Sequence, residues 1–121
     1  MDTNIIIEYL KGNPKIALIV DSHLDTDTVA ITSINRYELL QRFHKDQSIL
    51  SFIEDVEIYN FDKKASEKAA SMWHSLKAKG KMMDEIDLLI AAIAASNGET
   101  LITMDNDFGN LGSKEIIILT K

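Results

Sequence analysis

Apolar positions recur along this chain in two rhythms. "TVAITSI" (Thr28 to Ile34), "VEIYNF" (Val56 to Phe61), "ETLITM" (Glu99 to Met104) and "EIIILT" (Glu115 to Thr120) have the length and the Val, Ile, Thr and Tyr content of strands. Longer stretches between them read as helices. "NIIIEYLKG" starts on an Asn-containing turn and stops at Gly12, ahead of the only proline, Pro14. "INRYELLQRFHK" follows Ser33 as N-cap, and "DKKASEKAASMWHSLKAKG" runs from Asp62 as cap to Gly80 as terminator, with Ala65, Ala69, Trp73 and Leu76 as its buried stripe. "DEIDLLIAAIAASNG" has Asp84 as cap, acids in its first turn and Asn97-Gly98 at its end, which suits both the caps and the helix dipole. Strands that alternate with helices predict a parallel β-sheet with helices on both faces, an α/β three-layer sandwich.

One element is missing from this alternation. A helix beginning at Asn4 should be fed by a strand ending at Asp2, and only Met1 precedes it. The first strand is therefore absent, or the chain starts several residues late and Met1 is internal. A late start is the expectation, because deleting a central strand would orphan the hydrogen bonds of its neighbours.

Composition narrows the class. At 121 residues the chain reads as a single domain, 1–121, and 45% hydrophobic content suffices for one core. Without cysteine there is neither a disulfide framework nor a thiolate zinc site, and the three histidines lack metal-ligand spacing. The absence of cysteine points to a reducing, cytoplasmic setting. The longest apolar run, Leu88 to Ala95, is far too short to cross a bilayer, and the N-terminus carries no signal-peptide pattern. A net charge of -6 argues against simple electrostatic adhesion to nucleic acid or an anionic membrane, although acids that hold divalent cations lose much of that charge.

The acids carry the chemistry. In an open parallel sheet, ligands bind outside the carboxyl ends of the strands, where the βα junctions converge. Asp2 stands before the first helix, Glu38 about a turn into the helix after "TVAITSI", and Asp87 in the first turn of "DEIDLLIAAIAA"; Asp105 directly follows "TLITM", with Asp107 two residues on. Crowded carboxylates raise one another's pKa, so such a cluster calls for a cation. Hard oxygen ligands without His or Cys point to Mg²⁺ or Mn²⁺, and that chemistry to phosphodiester hydrolysis. Singly, each acid has a plainer account: Asp2 as a cap, Asp105 as a turn residue, Glu38 as a surface group, Asp87 as a dipole partner. Their joint placement is what singles them out.

With these residues in view, "DTNIIIEYLKG", "AITSINRYELLQR" and "DLLIAAIAASNGETLITMDNDFGNL" resemble, in order and spacing, the PIN-domain ribonucleases and among them the VapC-like toxins of type II toxin–antitoxin systems. The resemblance spans nearly the whole chain. It implies a PIN-like sandwich, a Mg²⁺- or Mn²⁺-dependent endoribonuclease acting on RNA, and a homodimer held by an antitoxin protein. By motif the family's acids fall on Asp2, Glu38, Asp87 and Asp105, with Asp107 as a neighbour, and Thr3, Asn4 and Thr103 as supporting groups. The departure is the missing apolar strand before "DTN".

Six of the 13 Lys and Arg residues lie between Lys63 and Lys81, where a solvated face is the usual reading and contact with RNA or an acidic partner the alternative. Arg36 and Arg42, near Glu38, are better placed to meet a phosphate. Two competing functions remain. "LDTDTV" (Leu24 to Val29) fits the signature of haloacid-dehalogenase-like phosphatases, with Asp25 as nucleophile, but no apolar strand leads into it. Alternatively the domain is a metal-binding interaction module with weak hydrolysis.

Overall fold

In the computed structural model the described residues are 3–24, 30–103, 106–112 and 116–118. Six helices and four short strands follow in the order α1 (Thr3–Leu10), α2 (Pro14–Leu24), β1 (Ala30–Thr32), α3 (Ser33–Arg42), α4 (Gln47–Asp55), β2 (Glu57–Tyr59), α5 (Lys63–Ala78), α6 (Glu85–Ser96), β3 (Leu101–Thr103), a 3-10 turn (Asn106–Leu111) and β4 (Ile116–Ile118). β1 pairs with β2 in parallel, Ile31 opposite Ile58, and β3 with β4 in parallel, Ile102 opposite Ile117. β1 and β2 are joined through α3 and α4, whereas the connection from β3 to β4 contains the 3-10 turn.

All four expected strands are present in shortened form. The largest correction lies where "TVAITSI" ends, because Ser33 and Ile34 already belong to α3. Thr32, not Ser33, is the cap: its hydroxyl accepts the Asn35 N–H at 3.0 Å, and the Asn35 side chain accepts the Thr32 N–H in return. The helix also stops at Arg42 rather than Lys45, since Phe43 leaves helical backbone at φ -131°. The other expected caps hold. Asp62 accepts from Ala65 N and Asp84 from Ile86 N, while Gly80 takes φ +68° at the end of α5.

Two helices were not anticipated. The Gly12-Asn13-Pro14 break ends α1 but also starts α2: the Asn13 side chain accepts from Lys15 N and Ile16 N, and proline suits a first helical position because its missing N–H is not needed there. α4 is capped by Asp46, whose carboxylate accepts from Ser48 and Ile49 N–H, and it buries Ile49 and Ile53 one turn apart.

Among the described residues, two clusters of buried apolar side chains stand out. Ile6 and Ile7 of α1, Ile31 of β1, Leu39 of α3, and Ile49 and Ile53 of α4 form the first. Ile90, Ala91 and Ala94 of α6, Leu101 of β3 and Phe108 of the 3-10 turn form the second. Each fully buried Ile, Leu or Phe is worth about 1.5–3 kcal/mol relative to exposure. α5 packs most extensively on α6, with Ala65, Ala69 and Leu76 buried; Trp73, expected in that stripe, is 38% exposed. Among the described residues, no helix is long and apolar enough to cross a membrane.

Candidate active site

Three elements converge beside the start of α6. α1 brings Thr3 and Asn4, α3 brings Glu38 and Arg42, and α6 brings Ile86 and Asp87 after its cap, Asp84; together they line a predominantly polar cavity of about 250 Å³. Asp87 is the third residue of α6, where N–H groups not used within the helix favour a carboxylate. Glu38 reaches the cavity because Leu39 beside it is wholly buried in the first cluster and fixes the rotation of α3.

Glu38 is held on both oxygens. Thr3 Oγ1 donates to its Oε1 at 2.5 Å, and the Arg42 guanidinium, one turn along α3, stands 3.9 Å from its Oε2. The first contact is a charge-assisted hydrogen bond inside the fold. The second is a looser, half-exposed ion pair that a phosphate or a cation could replace at little cost. Behind Thr3 lies Asn35, wholly buried, whose Nδ2 donates to Thr3 Oγ1 at 2.9 Å and whose Oδ1 accepts from the Thr32 hydroxyl and N–H at 2.9 Å each.

Of the acids picked out from sequence, Glu38 and Asp87 thus meet in one cavity although 49 positions separate them in the chain. Asp2 and Asp105 lie outside the described residues, as does most of "LDTDTV" with Asp25; Thr103 ends β3 and Asp107 falls in the 3-10 turn. Asn4 is an exposed member of the first turn of α1 and lines the cavity. The two arginines separate: Arg42 lines the cavity, whereas Arg36 pairs with Glu54 of α4 at 3.6 Å on the surface. Asp84 is a cap, as expected, and also lines the site. Asn35 had no assigned role. Its signal was present three residues after Thr32, the spacing of a capping box, with asparagine where glutamate or glutamine is usual.

Among the described residues no three His, Asp or Glu side chains form a group able to hold a metal ion. The donor set at the cavity nevertheless fits a hard divalent cation: it offers carboxylate and amide oxygen and no sulfur or imidazole.

A PIN-domain family model matches residues 1–114. The chain belongs to the PIN-domain family. Ribonuclease VapC3 of Methanocaldococcus jannaschii is 33% identical over 93 residues, which is 77% of this chain and 94% of that protein. Among solved structures, VapBC2 from Rickettsia felis bound to a DNA fragment from its promoter superposes with a TM-score of 0.80 at 26% identity, covering 98% of this PIN domain and 95% of that chain. VapBC-1 from nontypeable Haemophilus influenzae gives a TM-score of 0.80 at 27% identity, covering 98% and 94%. These neighbours extend the PIN fold over almost the whole chain, and the sandwich expected from sequence is the fold found.

Proposed function

We infer that this PIN domain is an endoribonuclease, the toxin of a toxin–antitoxin pair, and that it hydrolyses RNA phosphodiester bonds with Mg²⁺ or Mn²⁺. The observation that carries the reading is the meeting of Glu38 and Asp87 in one polar cavity in a chain related to a VapC ribonuclease. The toxin–antitoxin neighbours support an antitoxin protein as partner. A homodimer follows from the same family reading, and a cytoplasmic location from the absence of cysteine.

Glu38 and Asp87 are the described residues that would hold the ion, joined in this proposal by Asp2 and Asp105, with Asp107 beside them. When bound, the ion supplies the positive charge against which negative charge builds on the phosphate. The chain's own groups do the rest. Thr3 fixes the Glu38 carboxylate, Asn4 offers an amide at the rim, and Arg42 can turn from Glu38 to a phosphate oxygen, keeping the substrate in register. Thr103 is proposed as a further supporting group at the end of β3.

The test is cleavage of labelled single-stranded RNA with Mg²⁺, Mn²⁺ or EDTA, wild type beside Asp87→Asn. Metal-dependent cutting, reduced about 10²–10³-fold or more in the variant, is expected, in line with the loss of a preorganised charged group. Equal cutting by both proteins would remove Asp87 from the site. A folded wild type that takes up a divalent cation but cuts no RNA would favour the interaction module.

A further inference from the structure

Among the described residues, Asn35 is the wholly buried polar side chain, and its bonding exceeds what its helix needs. The Thr32 N–H is a donor only, so the Asn35 side-chain atom that meets it must be the oxygen, and the amide orientation follows without ambiguity. Nδ2 therefore faces Thr3 and donates to Oγ1. With that lone pair engaged, the Thr3 hydroxyl turns its own proton to Glu38 Oε1. The result is a one-way chain from Thr32 through Asn35 and Thr3 to the carboxylate, with Thr3 3% and Asn35 0% exposed.

A helix cap does not require this. The capping box asks only for an acceptor at the third helical position, and glutamate is a usual choice. A carboxylate would serve the box but would bring no N–H to Thr3, whereas an amide supplies both ends. We propose that Asn35 is a positioning residue for Glu38, acting through the Thr3 hydroxyl to occupy Oε1 and leave Oε2 for a divalent cation. The proposal rests on the metal-nuclease reading. It adds that Glu38 contributes one oxygen, and that a side chain which itself lies away from the ion sets the site's affinity. Without the chain the carboxylate keeps only the loose Arg42 contact on Oε2, the contact a cation would displace, and the cation must bear the cost of ordering it.

The experiment titrates the full-length protein with Mn²⁺ at pH 8, reading free Mn²⁺ by electron paramagnetic resonance. Asn35→Asp keeps the box acceptor and the volume but removes the donor, Thr3→Val removes the hydroxyl at constant shape, and Thr3→Ser restores it. Urea unfolding of each variant reports folding separately. Asn35→Asp and Thr3→Val are expected to weaken Mn²⁺ binding about 10-fold or more, the range found for groups that orient metal ligands, while Thr3→Ser stays near wild type. The double variant Asn35→Asp/Thr3→Val should bind no worse than Thr3→Val alone, because both changes cut one chain. Wild-type affinity in folded Asn35→Asp overturns the proposal. Should that variant not fold, the Val–Ser pair decides: equal loss in both Thr3 variants overturns it, and rescue by serine supports it. A wild type without Mn²⁺ affinity sinks the metal reading and the relay together, whereas a binding wild type beside an unaffected Asn35→Asp sinks the relay alone.

Discussion

Two cavities of nearly equal size flank the start of α6. On one side Thr3, Asn4, Glu38, Arg42, Asp84, Ile86 and Asp87 enclose about 250 Å³; on the other Trp73, Leu76, Lys77, Lys81, Met82, Met83 and Leu88 enclose about 230 Å³. The first is polar and the second mostly apolar. Asp87 and Leu88 are neighbours in sequence, yet one helical step of about 100° sends them to opposite cavities. In the polar cavity a directional series of hydrogen bonds runs from Asn35 to Thr3 to Glu38. The apolar cavity is adaptable: Met82 is 80% exposed, and the Lys77 ammonium lies 4.9 Å from the centre of the Trp73 ring. Equal volume therefore says little about use, whereas the bonding of the walls says much.

The sharpest way to break this comparison is to alter the two neighbours in turn. Leu88→Ala should cost about 2–5 kcal/mol in urea unfolding, as for other buried leucines, and remove activity only through loss of folded protein. Asp87→Asn should do the reverse, with stability changed by no more than about 1 kcal/mol and cleavage lost. If both variants lost stability equally, the division of labour would be wrong. Asp62→Ala, which removes the cap of α5, is expected to cost about 1 kcal/mol without changing Mn²⁺ affinity, read by urea unfolding and titration. Met82→Ser should shift stability by less than about 0.5 kcal/mol, since that side chain is mostly in water.

The smallest effects are in pH. Hydrogen bonding to Glu99 raises the Tyr59 phenol above its ordinary value of 10.0, and burial with a hydrogen bond to Asp21 does the same for Tyr9. A raised folded-state pKa gives stability that is full below pH 10.0 and lost as pH rises through the higher folded value. At the acid end, hydrogen bonds from Ser48 and Ile49 lower Asp46 below 3.8, so its contribution is present above that pH and lost as pH falls through the lower folded value. Tyr59→Phe and Asp46→Asn should each flatten the matching limb of a plot of urea stability against pH.

Much of the polar side was legible in the sequence. Glu38 and Asp87 could be put in one place because strand–helix alternation fixes which edge of a sheet receives the βα junctions. The caps at Asp62 and Asp84 were readable because capping is local. Helices α2 and α4 were not: one starts at the same Gly-Asn-Pro break that ends its predecessor, and the other is nine residues long with only Ile49 and Ile53 buried. Trp73 has the spacing of a buried stripe, but the small Ala65 and Ala69 and the buried Leu76 make the contact with α6, and the large indole stays 38% exposed. The role of Asn35 depends on Thr3, 32 residues away, and no local pattern encodes that meeting.

Glu38 rides on a helix rooted in the first apolar cluster, and Asp87 on a helix rooted in the second. Should the two clusters open as separate units, the amides of α3 and α6 would exchange with deuterium at different rates in EDTA. A cation gripped from both sides would tie these cooperative units together, and their exchange rates should converge as Mn²⁺ is added. In that sense the ion would act as a rivet, and the protein would be most rigid across the seam where its chemistry takes place.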